Sequence, residues 1–225
     1  TDVTGVQTCA LPIFPLNTVL FPGMPINLHI FEERYQLMIK RCIDERLPFG
    51  VVLIQKGVEA LGPMAEPHLV GCTARILHVE QLDAGRMNIS CLGHERFQIL
   101  SIDETSFPYL VGEVQILPLP ERASEESEAL GDNIRHQFNK LIDILGRIRG
   151  RDFQRQEYPN NSVLLANMAV TLLQIPAHEK QTLLEAENVE QYFQDLLVIL
   201  SREILLLETI ASKTGPMLTR VFSKN

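Results

Sequence analysis

The sequence predicts an α+β protein, with a β-rich pseudo-barrel carrying one helix and then a helical bundle. Three observations lead there. Between residues 15 and 119 the apolar residues come in short runs broken by Gly and Pro, the pattern of strands and turns. One stretch of that half, EERYQLMIKRCIDER (32–46), instead spaces its apolar residues by three and four, as an amphipathic helix does. Beyond residue 120 only helical periodicity remains.

The elements follow in order. Residues 15–21 and 25–31 read as short or edge strands, because Pro22 and Pro25 cannot donate to a ladder and Gly23 fixes a corner. Glu32 and Glu33 stand where a helix N-terminus favours carboxylates. Tyr35, Met38, Ile39, Cys42 and Ile43 make one apolar stripe, which Pro48 ends. FGVVLIQ (49–55) reads as a buried strand, and 56–67, with two Gly and two Pro, as a loop. Strands follow at 69–82, 86–102 and 109–119. Asp83-Ala84-Gly85 suits a hairpin with positive φ at the glycine. Gly93 interrupts its run and predicts a bulge or a change of direction. Many strands with one helix suggest a small twisted barrel.

The second half reads as four helices. The first covers 125–149, with Ser124 and Glu128 at its start. Asn161-Ser162 caps VLLANMAVTLLQ, Pro176 opens AHEKQTLLEA, and Asn188 caps 189–213. Loop 150–160 separates the first two. Short connections between four helices predict a bundle. The predicted units are therefore 14–120 and 121–225.

Residues 3–13, VTGVQTCALPI, resemble the in-frame translation of a common sequencing-library adapter. Residues 1–13 are on that reading an artefact, outside the fold, with Cys9 not native and the native chain starting shortly before Phe14.

Composition narrows the function. The chain is 45% apolar and 21% charged, ordinary for a globular protein. A net charge of −8 supplies no basic surplus for sequence-independent nucleic-acid binding. Cys42, Cys72 and Cys91 lack the C-x-x-C spacing of a zinc site and read as buried, reduced thiols in a cytoplasmic protein. No apolar run reaches the roughly 18 residues a membrane span needs. Partners are expected to include neither nucleic acid nor membrane.

Catalytic motifs are missing from the sequence. It has no Walker-type phosphate loop, no G-x-G-x-x-G after a strand, no H-E-x-x-H and no G-x-S-x-G. His94-Glu95 and His178-Glu179 lack the second His of a zinc motif. Cys91 and His94 would point to opposite faces of a regular strand, though a bulge at Gly93 could alter that. No catalytic residue, metal or cofactor is expected.

PLNTVLFPGMPINLHIFEERY (15–35), VGCTARILHVEQLDAGRMNISCLGHERFQI (70–99) and IPAHEKQTLLEAENVEQYF (175–193) together resemble the Lon substrate-binding domain, the N-terminal domain of ATP-dependent Lon proteases, which also occurs as a free-standing bacterial protein. The resemblance runs from Phe14 to about Ser212. It implies a PUA-like pseudo-barrel with one helix, a helical bundle, and binding of unfolded or damaged polypeptides without catalysis. The ATPase and Ser-Lys peptidase that follow in Lon have no counterpart in this sequence, so kinship with a peptidase does not imply peptidase activity.

By the same resemblance, the segment entering the first helix engages substrate. Here it is Phe31, Glu32, Glu33, Arg34 and Tyr35, with polar residues rimming apolar ones. A helix N-terminus with favourable carboxylates and a solvated arginine is the competing account. Arg96 reads as a structural arginine that pairs with a carboxylate and fixes the bend. Phe21, Phe31 and Phe97 read as core, with a groove-lining role for Phe21 or Phe31 as the alternative. In LLVILSREILLLETI the apolar residues exceed one stripe, so Leu197, Leu205 and Leu206 are candidates for self-association or a partner interface. The leading expectation is a non-catalytic polypeptide-binding module, with a PUA-like small-molecule or RNA reader as the alternative.

Overall fold

The computed structural model describes residues 8–119, 125–150 and 157–214. They fall into two compact units. One holds the residues up to Leu119 together with Ile175–Glu185, and the other holds Pro120–Gln174 and Ala186 onwards.

The first unit has six strands: β1 (Thr8–Leu16), β2 (Pro25–Ile30), β3 (Phe49–Lys56), β4 (Glu66–Gln81), β5 (Met87–Asp103) and β6 (Leu110–Ile116). Their order is β2-β5-β4-β3-β1-β6, and β6 pairs back onto β5. That pairing closes five strands into a ring and leaves β2 outside it. β1 and β3 are parallel and the other pairs antiparallel. One side of β5 serves two partners in succession, with Met87–Leu92 on β2 and Phe97–Asp103 on β6. The changeover is at Gly93. There the β4–β5 register slips, from Ala74 opposite Gly93 to Cys72 opposite Arg96, which is the bulge expected from the glycine. Gly93 also anchors the corner before β2, its N–H donating to Met24 O at 2.9 Å and its carbonyl accepting from Gly23 N at 2.8 Å.

Helix α1 (Glu33–Glu45) packs its apolar face against residues of the sheet. Tyr35, Met38, Ile39 and Cys42 are buried, packed with Phe14, Ile30, Phe49, Met87, Ile89 and Cys91. Ile43, expected in the same stripe, is exposed instead. A second apolar cluster joins Leu11, Ile13, Val52, Phe97, Ile99, Leu110 and Val114. The Asp83–Gly85 turn has Gly85 at φ 74°, as its hairpin position requires.

Three expectations change. First, the boundary at Phe14 moves. Residues 8–13 are strand, pairing with β6, and Leu11 and Ile13 are buried in the second cluster. Residues 1–7 lie outside the described residues. Second, the strand expected at 15–21 ends at Leu16. Val19, Leu20 and Phe21 are buried without ladder pairing, in a loop whose Phe21 carbonyl accepts Met24 N at 3.0 Å. Third, the bundle is smaller than four helices. The second unit contains α2 (Glu125–Arg149), α3 (Ser162–Leu172) and α5 (Val189–Thr214), whereas α4 (Ala177–Leu184) belongs to the β unit. Gln181 Nε2 donates to Val70 O on β4 at 3.0 Å, and Arg96 Nη1 on β5 donates to Leu184 O at 2.6 Å. Those bonds, made by polar side chains that helical periodicity ignores, hold α4 to the sheet.

The expected caps form. Asn161 Oδ1 accepts from Leu164 N and Asn188 Oδ1 from Gln191 N, both at 2.9 Å. Pro176 takes the N-cap position of α4, one residue before the first turn. Ser124 and most of the loop between α2 and α3 (151–156) lie outside the described residues. Within the bundle unit the buried Tyr192 hydroxyl donates to Asn167 Oδ1 at 2.7 Å.

Candidate functional site

The site is built where β2 turns into α1. Glu32 is the N-cap of α1, its carbonyl accepting from Tyr35 N at 3.0 Å and Gln36 N at 2.9 Å. Its side chain does not cap the helix. It reaches Arg34 Nη2 at 2.9 Å and accepts from Leu61 N at 3.4 Å. The Arg34 guanidinium lies over the Tyr35 ring, 4.7 Å from its centroid, and that ring packs on Phe14 at 4.1 Å. Burial pushes the Tyr35 phenol above its usual pKa, with Arg34 pulling the other way. Phe31 is held by its main chain, whose carbonyl accepts from Gln36 Nε2 at 2.9 Å. Its ring stacks on His29 at 5.9 Å and stays 42% exposed. His29 Nδ1 is fixed in turn against Asn88 Oδ1 at 2.8 Å.

These residues frame a surface pocket of about 290 Å³. Asn27–Phe31 form one wall, Phe14 and Leu16 of β1 together with Tyr35 contribute apolar floor, and Glu32, Glu59 and Ala60 close the rim. Glu59 is oriented by Asn17 N, which donates to its Oε2 at 2.7 Å. The pocket therefore combines buried aromatic surface, one exposed phenylalanine and two rim carboxylates, of which only Glu32 pairs with Arg34.

Of the residues expected from sequence, Phe31, Glu32 and Tyr35 line the pocket. Arg34 does not line it and is not solvated. With its side chain 15% exposed it braces Glu32 and Tyr35 from behind. Glu33 is exposed in the first turn of α1 and outside the lining. Phe21 and Phe97 are core as expected, whereas Phe31, also read as core, is exposed and lines the pocket. Sequence reasoning missed Phe14 and Leu16, Asn27–Ile30, and Glu59 and Ala60. The apolar run after Pro25 marked a strand but not a pocket wall, and nothing in GVEALG signals where that loop lands.

Elsewhere, Arg96 is 7% exposed and donates to main-chain carbonyls, Leu184 O and, at 3.3 Å, Pro118 O. Cys91 is buried while His94 is exposed beside Glu95, so the bulge brings no thiol–imidazole pair together. Burial pushes the Cys42 thiol up to about 11 and the Cys72 and Cys91 thiols up to about 12, the opposite of an activated nucleophile. Among the described residues no group of three His, Cys, Asp or Glu could hold a metal, and no helix is long and apolar enough to cross a membrane. On α5, Leu205 and Leu206 are 64% and 53% exposed, whereas Leu197 is half-buried beside the core residues Leu196 and Leu200.

Residues 10–202 match the family described as the ATP-dependent protease La (Lon) substrate-binding domain. The chain is 31% identical over 207 residues to a Lon protease of Parabacteroides distasonis, and 27% identical over 209 residues to Lon protease 2 of Herpetosiphon aurantiacus. These alignments cover 90% and 92% of the chain but 25% of each relative, so the chain spans about a quarter of their length. Its fold is similar to the N-terminal domain of a Mycobacterium avium complex Lon protease, at TM-score 0.66 and 20% identity, covering 86% of this chain and 98% of that one. It is also similar to a Lon N-terminal domain protein from Xanthomonas campestris, at TM-score 0.60 and 22% identity, covering 84% and 98%.

Proposed function

The chain belongs to the Lon substrate-binding domain family, and on that premise we propose that it is a non-catalytic module, acting in the cytoplasm, that binds unfolded or damaged polypeptides at the β2–α1 pocket. One observation carries the proposal. An exposed aromatic ring, Phe31, stands at the mouth of a pocket floored by Phe14, Leu16 and Tyr35. A folded client hides the apolar side chains such a pocket would take, and an unfolded one presents them. The rim carboxylates Glu32 and Glu59 disfavour the alternative of RNA, whose phosphates they would repel.

The test is a fluorescence-anisotropy titration of the chain against labelled lysozyme, native or reduced and carboxymethylated, without nucleotide. A gel of the same samples follows cleavage. The expected result is saturable binding of the unfolded form only, with the probe left intact. Equal affinity for both forms, or cleavage, would contradict the proposal.

A further inference from the structure

We infer that β2 is a docking strand. An extended segment of the bound polypeptide adds to its outer edge, and the preferred segment carries an apolar and a basic residue two positions apart. The inference rests on the polypeptide-binding reading and specifies its geometry.

The edge is available and held in place. β2 ends the strand order, and among the described residues nothing pairs with its outer side. Its inner side is fixed by a continuous register with β5, from Pro25 opposite Leu92 to Ile30 opposite Met87. The phase of that ladder follows from the bond between Gly93 N and Met24 O. Ile26, Leu28 and Ile30 turn their main-chain groups toward β5, so Asn27 and His29 turn theirs outward. Pro25 shares the outward phase and has no N–H to offer, as suits proline on an edge. Edge strands are commonly blunted by charge, bulges or a covering loop. Asn27 to His29 carries no charged acid or lysine and pairs with β5 without a register shift.

The pocket sets the occupant. The residues that offer the outer edge, Asn27 and His29, also line it. A chain paired with them would run beside the apolar floor of Phe14 and Tyr35 and the carboxylate of Glu59. Arg34 pairs with Glu32. Glu59 receives a main-chain N–H from Asn17 and, among the described residues, no basic side chain, so the described rim is net negative. Side chains two apart on a strand share a face. One residue entering over the aromatic floor therefore places the next same-face residue toward the rim, where Lys or Arg complements Glu59.

The probe is a fluorescein-labelled eight-residue peptide, Val-Thr-Lys-Thr-Val-Thr-Lys-Thr, titrated into the full 225-residue chain. Two N-methylated versions accompany it, one methylated at Val and Lys and the other at Thr. Strand addition uses the N–H groups of alternate residues, so one version should bind about ten-fold weaker or worse and the other within about three-fold of the parent. Replacing Lys by Glu should weaken binding, and Glu59→Gln should shrink that difference. Equal effects of the two methylation patterns would overturn strand addition, and equal affinity of the Glu peptide would overturn the charge preference. If carboxymethylated lysozyme binds and the peptide does not, the inference falls while the polypeptide-binding reading stands. If neither binds, both fall.

Discussion

A Cβ atom placed on Gly93 would lie 2.2 Å from the carbonyl oxygen of Phe21, so the chain before β2 passes against β5 where only glycine leaves room. The same glycine bonds Gly23 and Met24, marks the register slip, and lets β5 exchange β2 for β6. The position of the pocket wall therefore depends on one missing side chain.

Gly93→Ala should destabilise the protein by about 1–3 kcal/mol, because backbone must move to admit the methyl group. It should also weaken capture of unfolded lysozyme by displacing β2. Urea denaturation and the anisotropy titration read the two effects separately. An unchanged midpoint would show that the Phe21 carbonyl yields freely.

Arg96→Met should cost about 2–4 kcal/mol, since it strips a buried donor from the carbonyls of Leu184 and Pro118 while keeping apolar bulk. The loss should appear as early hydrogen exchange in α4, which that side chain ties to β5. Uniform destabilisation with α4 exchange unaltered would contradict this role.

The buried thiols give a pH dependence with a definite sign. Cys42, Cys72 and Cys91 have folded values of about 11, 12 and 12, above the ordinary 9.0. Raised folded values mean that their contribution is fully present below pH 9 and is lost as pH climbs toward 11–12, because the unfolded chain ionises first. Stability from urea melts should fall over that window, and less so in Cys72→Ala compared with its own value at pH 8. At pH 8 the native protein should alkylate only at the exposed Cys9.

On α5, Leu196→Ala should cost about 2–5 kcal/mol, as a fully buried leucine. The pair Leu205→Gln and Leu206→Gln should change stability by about 0.5 kcal/mol or less each, as exposed positions. Sedimentation of the same pair reads whether that face associates, and a lower mass than the parent would assign it to an interface.

Much of the fold was legible because its signals are local. Short apolar runs broken by Gly and Pro marked the strands, the stripe of Tyr35, Met38, Ile39, Cys42 and Ile43 marked α1 although Ile43 is exposed, and Asn161 and Asn188 marked their helices. What escaped depends on contacts distant in sequence. The allegiance of α4 rests on Gln181 and Val70, 111 residues apart, and on Arg96 and Leu184, 88 apart. The pocket was half legible. FEERY drew attention through its charge and its resemblance, but Phe14 stood at a supposed boundary, and Glu59 comes from a loop whose landing place no period encodes. Arg34 looked solvated because sequence shows its neighbours Glu32 and Tyr35 but not that both side chains fold onto the guanidinium.

The most direct measurement is amide hydrogen exchange of the full chain with and without reduced, carboxymethylated lysozyme. The amides of Asn27 and His29 should exchange quickly in the free protein and become protected on binding, together with those around Phe31 to Tyr35. Saturable binding with no new protection between residues 25 and 35 would contradict the placement of the polypeptide site at β2 and α1.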